Sequence, residues 1–182
     1  MKTLKPFLSP LAVVLVGTLV GCSTTSTKSA DVSSQIRTSL DQAGFRDVST
    51  SQDRDKGVVT LGGHVAAEGD KLQAESIAKS IAGAQVVSNQ IAVVPPGVEN
   101  EAEKVNADLD KGIKNNLDAA LIKNRLHKSV NYAVKNHVVT LTGEVDSESK
   151  RARAEEVAST VLNVRQVVNE LQVKGQKASS SN

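Results

Sequence analysis

The chain predicts an α+β protein made of two tandem αββαβ units, each a three-stranded mixed sheet with two helices on one face. Three observations predict it. First, Val58-Val-Thr-Leu-Gly-Gly-His-Val65 returns 80 residues later as Val138-Val-Thr-Leu-Thr-Gly-Glu-Val145, and an internal repeat takes precedence over other fold reasoning. At the same spacing Glu68 meets Glu148, Ala74 and Glu75 meet Ala154 and Glu155, Ala78 meets Ala158, and Asn89 meets Asn169. Second, Ile36-Arg-Thr-Ser-Leu-Asp-Gln-Ala43 matches Ile113-Lys-Asn-Asn-Leu-Asp-Ala-Ala120 at a spacing of 77. Copy two therefore carries about three extra residues between its first helix and its hairpin. Third, Pro95-Pro96-Gly97 halts any strand or helix. It separates a unit at 31–95 from a linker at 96–104 and a second unit at 105–174.

Each element follows in order from its periodicity. Val32, Ile36 and Leu40, and again Leu109, Ile113, Leu117 and Leu121, recur at one-turn spacing, as the buried stripe of a helix does. Val130, Tyr132 and Val134 alternate as a half-buried strand, and a turn at Lys135-Asn136 returns the chain into Val138–Val145. Val139, Leu141, Gly143 and Val145 share the inward face, opposite Thr140, Thr142 and Glu144. Ala154, Val157, Ala158, Val161 and Leu162 form the stripe of the second helix, and Val167, Leu171 and Val173 close the sheet. A strand-helix-strand connection within one sheet is right-handed. Gly63 and Gly143 fall inward, where a missing side chain lets a helix approach. Asn89 and Asn169 also fall inward, and read as structural amides bonded to nearby backbone or as bulges. Copy one has the poorer first strand, with only Phe45 and Val48 apolar before Ser49–Asp55. A unit of this size folds marginally alone, so the copies are expected to pack together.

The amino terminus has its own pattern. Lys2 and Lys5 precede a short apolar run, Leu11–Val20, and then a Ser/Thr stretch. This is the layout of a secretory signal, and the run is too short for a membrane-spanning helix, which needs about 20 apolar residues. Leu19-Val20-Gly21-Cys22 resembles the lipobox of bacterial lipoproteins, with Cys22 the single cysteine. The resemblance implies a signal at 1–21 cut before Cys22, which then carries a diacylglyceryl thioether and an N-acyl chain. The alternative is an ordinary signal peptide with a stray cysteine near the cut. Three acyl chains, at about 0.8 kcal/mol per buried methylene, hold far more firmly than one. Residues 22–30 are expected to form a flexible polar tether, and 175–182 a disordered Ser-rich tail. Ser23 after the cysteine, rather than an aspartate, resembles the outer-membrane sorting option, facing the periplasm; retention in the inner membrane is the alternative.

Removing Lys2 and Lys5 leaves 20 basic and 20 acidic residues, a formally neutral chain. The charge is unevenly spread. Glu99–Asp110 holds five acids against Lys104, while Lys111–Lys135 holds six bases against Asp118. A solvated helix face accounts for such a block, but Lys111, Lys114, Lys123, Arg125, His127 and Lys128 are also the candidate contacts for anionic phospholipid. Each cation near an anionic surface contributes about 1 kcal/mol. The matching stretch of copy one, Asp31–Gly57, has five acids against four bases.

Catalytic and cofactor patterns are lacking in the sequence. His64, His127 and His137 show no ligand spacing, and His64 and His137 read as exposed strand-end residues. No Gly-x-Ser-x-Gly elbow, Gly-x-Gly-x-x-Gly or Walker loop occurs. No two glycines have the Gly-x-x-Gly spacing of an RNA-clamping KH unit. The expectation is a protein that is not an enzyme, with no cofactor, no metal site and no nucleic-acid partner.

The segments Gly57–Val65 and His137–Val145, with the closing Val87–Ile91 and Val167–Leu171, resemble the BON domain family. Two such units behind a lipobox resemble the dual-BON outer-membrane lipoproteins of Gram-negative bacteria, with periplasmic osmotically inducible proteins as soluble relatives. The resemblance implies the αββαβ fold, association with phospholipid, and a part in keeping the envelope intact under stress. The alternative is an adaptor that docks an envelope protein through the open sheet face or an edge strand.

Overall fold

The computed structural model describes residues 28–174. The expected signal at 1–21, Cys22, the tether up to residue 27 and the tail at 175–182 lie outside the described residues. Copy one runs α1 (Ser33–Gln42), β1 (Val48–Asp53), β2 (Val58–Val65), α2 (Glu68–Ala82), β3 (Val86–Asn89) and β4 (Ala92–Val93). Copy two runs α3 (Glu99–Lys123), β5 (Val130–Lys135), β6 (Val138–Val145), α4 (Glu148–Ser159), β7 (Gln166–Asn169) and β8 (Gln172–Val173).

In each copy the long second strand is central. β1 lies antiparallel to β2, and β3 and β4 both run parallel to it on the other side. β5, β6, β7 and β8 repeat this pattern. The third strand of each sheet is thus broken in two, and the repeated asparagine explains the break. Asn89 Nδ2 donates to the Lys71 carbonyl at 3.3 Å and to the Glu75 carboxylate at 2.9 Å. Its Oδ1 accepts the Ile91 N–H at 3.3 Å. Asn169 does the same with Arg151, Glu155 and Leu171 at 3.2, 3.0 and 3.2 Å. The amide ties the last strand to the second helix and takes up a main-chain donor at the break.

Each helix pair covers one sheet face. Ile36 and Leu40 pack on Val59, Leu61, Val65, Ala74 and Ala78 in copy one. Ile113, Leu117 and Leu121 pack on Val139, Leu141, Val145, Ala154 and Ala158 in copy two. The Ser-rich β1 forms a full six-residue ladder with β2, so the better strand templates the poorer one and tertiary pairing overrides propensity.

Five local expectations are corrected. Gly63 and Gly143 are needed for the hairpin partner and not for a helix. Their φ angles are +84° and +118°, and a Cβ would lie 1.9 Å from the Asp47 carbonyl oxygen or 2.6 Å from that of Ser129. The β5–β6 turn falls one residue later, at Asn136 and His137, both with positive φ, which suits a tight two-residue hairpin. α4 ends at Ser159, so Leu162 leaves the apolar stripe and is 74% exposed, while Val161 stays buried. α3 starts at Glu99 and takes in the acidic end of the segment read as linker. Residues 28–30 are not free tether. Ser29 N–H donates to the Arg54 carbonyl at 2.9 Å, Arg54 Nε donates to the Ser29 carbonyl at 2.8 Å, and Lys28 pairs with Asp55 at 3.3 Å.

Candidate functional site

The two copies meet along a seam with pseudo-twofold symmetry. Lys56, in the β1–β2 turn, reaches Glu170 after β7 at 2.6 Å. The mirrored pair, 80 residues away in each direction, is Asn136 Nδ2 donating to the Gln90 carbonyl at 2.7 Å. A residue pair whose repeat equivalents meet in exchanged order marks an isologous interface. Val58, Val138 and Val168 form a small buried cluster within it. The seam therefore covers part of the sheet face expected to be open.

A polar cleft of about 310 Å³ lies on one side of the seam, lined among others by Glu68, Lys71, Glu75, Lys79, Arg165 and Gln166. A smaller adjoining space is bounded by Asn136 and His137. Lys71 belongs to the buried stripe of α2, in line with Ala74, Ala78 and Ala82. Only 7% of the residue is exposed. Burial lowers the Lys71 pKa from its ordinary value; nearby Glu68 opposes this and Arg165 reinforces it. Glu68 is bound to Arg165 at 2.6 Å, and Glu75 to Lys79 at 2.5 Å. The Asp110 carboxylate accepts the Asn136 and His137 N–H groups at 2.8 and 2.9 Å, which holds the left-handed turn in place. His137 was expected to be an exposed strand-end residue. It is instead half-buried at the seam, with a buried Nε2 that finds no partner among the described residues. Burial pushes its pKa down, Asp110 opposes this, and Arg165 and Lys71 add to it.

The basic candidates divide into two groups. All six are exposed. Lys123, Arg125, His127 and Lys128 gather at the end of α3 and in the turn before β5. Exposed Ile122, at 51%, lies among them. Arg125 takes a positive φ of 60° in this turn. Lys114 lies about 13 Å back along α3 from Lys123 and on nearly the opposite side of the helix, since 3.6 residues make a turn. Lys111 lies one turn further back. The structure brings four of the six together.

Sequence reasoning missed Lys71, Gln166, Asp110 and Ile122. Lys71 had a usable signal, because it sits three residues before Ala74 on the stripe that α2 buries. Gln166 depends on which surfaces of the copies meet, Asp110 on where α3 lies against the β5–β6 turn, and Ile122 on where α3 ends. Among the described residues, no three His, Cys, Asp or Glu side chains lie close enough to hold a metal ion. No described helix is long and apolar enough to cross a membrane.

Two αββαβ units joined back to back through a short polar seam define a tandem α+β domain protein. Residues 28–95 and 107–175 each match the BON domain, and the chain belongs to that family. It is similar to osmotically-inducible protein Y of Escherichia coli (strain K12), 28% identical over 137 residues that cover 74% of this chain and 67% of that protein. Among solved structures it is similar to the C-terminal domain of CdsD, the structural protein of the type III secretion system of Chlamydia trachomatis. That match has a TM-score of 0.35 and 14% identity, covering 82% of this chain and 100% of the other. A second CdsD structure matches with the same score and identity over 79% and 92%.

Proposed function

We propose that the protein is a lipid-anchored envelope lipoprotein, facing the periplasm from the outer membrane. In this reading it binds anionic phospholipid through the basic end of copy two and supports envelope integrity under stress. The observation that carries the reading is the gathering of Lys123, Arg125, His127 and Lys128 around exposed Ile122. Cations at the headgroup level contribute about 1 kcal/mol each. A fully buried isoleucine adds about 1.5–3 kcal/mol, so a shallow insertion adds a fraction of that. Similarity to an osmotically inducible protein supports the stress role.

The anchor supports the same reading through proximity. Lys28 and Ser29 are fastened to Arg54 and Asp55 beside the β1–β2 turn. That turn sits against Glu170 of copy two, on the way to β8, which pairs with the end of β6. The basic turn precedes β5, whose first residue Val130 also pairs at the end of β6, with Gly143. A chain anchored at Cys22 would hold the folded part, the basic turn included, close to its own bilayer, since the six residues up to Lys28 span at most about 20 Å. Weak affinity then becomes effective through high local concentration.

The test is vesicle binding. A protein of residues 28–174 should sediment with anionic vesicles and not with neutral ones. Replacing Lys123, Arg125 and Lys128 together with Glu should nearly abolish sedimentation and leave the melting temperature little changed, because all three are exposed. Binding should weaken as salt rises, since exposed charges are screened beyond about 8–10 Å at physiological ionic strength. Salt-insensitive binding, or a triple variant that sediments as well as wild type, would favour an adaptor for an envelope protein. In cells, Cys22→Ala should leave an uncut precursor and abolish outer-membrane fractionation; mature-length protein still in that fraction would remove the anchor.

A further inference from the structure

The cleft beside the seam holds a largely buried lysine that makes no direct ion pair, with Glu68, Glu75 and Asp110 near enough to act on it only through space. Among the described residues the Lys71 ammonium has no hydrogen bond or ion pair, although the residue is 7% exposed. The acids around it are engaged elsewhere: Glu68 with Arg165, Glu75 with Lys79 and Asn89, and Asp110 with two backbone N–H groups. On the copy-two side of the cleft, the buried Nε2 of His137 is also unpartnered. Buried charges are paired or neutralised, and buried polar atoms are hydrogen-bonded, in nearly every protein. Lys71, Arg165 and His137 together bound a small space of about 50 Å³, more than the roughly 30 Å³ share of one water, and Lys71 and Arg165 also line the adjoining cleft of about 310 Å³.

We propose that this cleft is a binding site for a phosphate-type oxyanion held between the two copies. Lys71 supplies the counterion from α2. Arg165, from the loop before β7, stays paired with Glu68 through one guanidinium nitrogen and supplies its remaining N–H groups, and His137, from the β5–β6 turn, supplies an Nε2–H donor. Three donors arriving from three elements suit a tetrahedral anion with several oxygens better than a flat carboxylate. Such a ligand would link the copies across the seam. The pseudo-twofold mate of the site lacks the set. There the three positions are Arg151, Gln85 and Gly57, and Arg151 is 40% exposed and paired with Glu148 at 3.6 Å. The proposal uses none of the residues of the basic end and stands independently of the membrane reading.

The experiment titrates the full-length chain, in a mild non-ionic detergent, with inorganic phosphate at constant ionic strength. Chloride is the control. A ligand that binds only the folded protein raises its melting temperature by mass action, and phosphate should do so beyond chloride. Lys71→Met, which keeps the buried stem, should weaken phosphate binding by roughly tenfold or more. Lys71→Arg should retain most of it. Lys71→Met should melt in chloride no lower than wild type, because it removes a desolvated charge. If it fails to fold, amide and side-chain resonances of Lys71, His137 and Arg165 in the wild type decide instead, and phosphate should move all three. A second arm uses sn-glycerol 1-phosphate: tighter binding than phosphate assigns the site to a lipid headgroup, and equal or weaker binding assigns it to free phosphate. The Lys123, Arg125 and Lys128 triple variant should bind phosphate as wild type does, whatever it does with vesicles. No phosphate-specific change in melting or in those resonances, or a Lys71→Met protein that binds like wild type, would overturn the proposal.

Discussion

The side-chain oxygen of Gln166 accepts the backbone N–H of Asn89 at 2.9 Å, across the seam between the copies. Its Nε2 donates to the Val87 carbonyl at 2.7 Å. Asn89 and Val87 lie on the strand that pairs with β2 on its other side, so one carboxamide serves two main-chain groups on the outer edge of β3, as a neighbouring strand would. The repeat equivalent of Gln166 is Val86, which is 47% exposed and cannot return the favour to β7. The seam is symmetric in layout, but this amide clamp is made on one side only.

Gln166→Val, which installs the residue of copy one, should therefore loosen the seam. Two partly buried backbone groups lose their partner, at a cost of about 1–3 kcal/mol. Urea unfolding of residues 28–174 would read this as a lower midpoint. The reciprocal Val86→Gln should leave the midpoint unchanged or raise it. A Gln166→Val protein as stable as wild type would show that water replaces the amide.

Glycine substitutions in the central strands should rank by the space each finds. Gly63→Ala combines positive φ with a Cβ 1.9 Å from a fixed carbonyl oxygen, so it should cost the most. Gly143→Ala, at 2.6 Å from its carbonyl, should follow. Gly62→Ala meets only the Ser49 hydroxyl, at 2.9 Å, on a side chain that can rotate, and should be mild. Costs of about 1–3 kcal/mol belong to backbone strain of this kind. Thermal melts of the three variants test the order.

Stability should fall on the acid side of neutrality because of His137. Burial holds its imidazole pKa below the ordinary value, so near pH 6 the unfolded chain binds a proton that the folded chain refuses. Stability then rises with pH. This contribution is fully present above about pH 6.5. It is lost as pH falls from there through the depressed folded value, below which both states are protonated. Lys71, Arg165, Glu68 and Asp110 face the ring, and Asp110 alone among the acids lacks a cation of its own. His137→Gln should flatten the midpoint between pH 7 and 5.5 relative to wild type. An unchanged slope would assign the dependence to other groups.

The basic turn shows how far a linear reading reaches. Five Lys or Arg side chains and His127 within Lys111–Lys128 look like one patch in the sequence. Helix geometry turns Lys114 away from Lys123, and only the turn brings Lys123, Arg125, His127 and Lys128 together. Ile122 is exposed because α3 ends one residue later, at Lys123, with Leu121 taking the buried position. Its exposure was hidden in an apolar pair, Leu121-Ile122, that reads as core from either side.

By itself the sequence determined the repeat, the order of elements and most of the two cores. Ile36 and Leu40, or Val139, Leu141 and Val145, recur with the period of their own element, and such periods depend only on local backbone geometry. The asparagines at 89 and 169 belong here too, since each bonds to a helix within its own repeat. Only the tertiary structure decided which faces of the copies meet, and with that the clamp made by Gln166, the half-buried His137 and the buried Lys71 that makes no direct ion pair. Burial at a seam is a property of two surfaces brought together, and neither surface carries a period that announces the other. The role of Gly63 was decided the same way: its parity is visible along one strand, but the carbonyl that excludes a side chain belongs to residue 47, at the start of another.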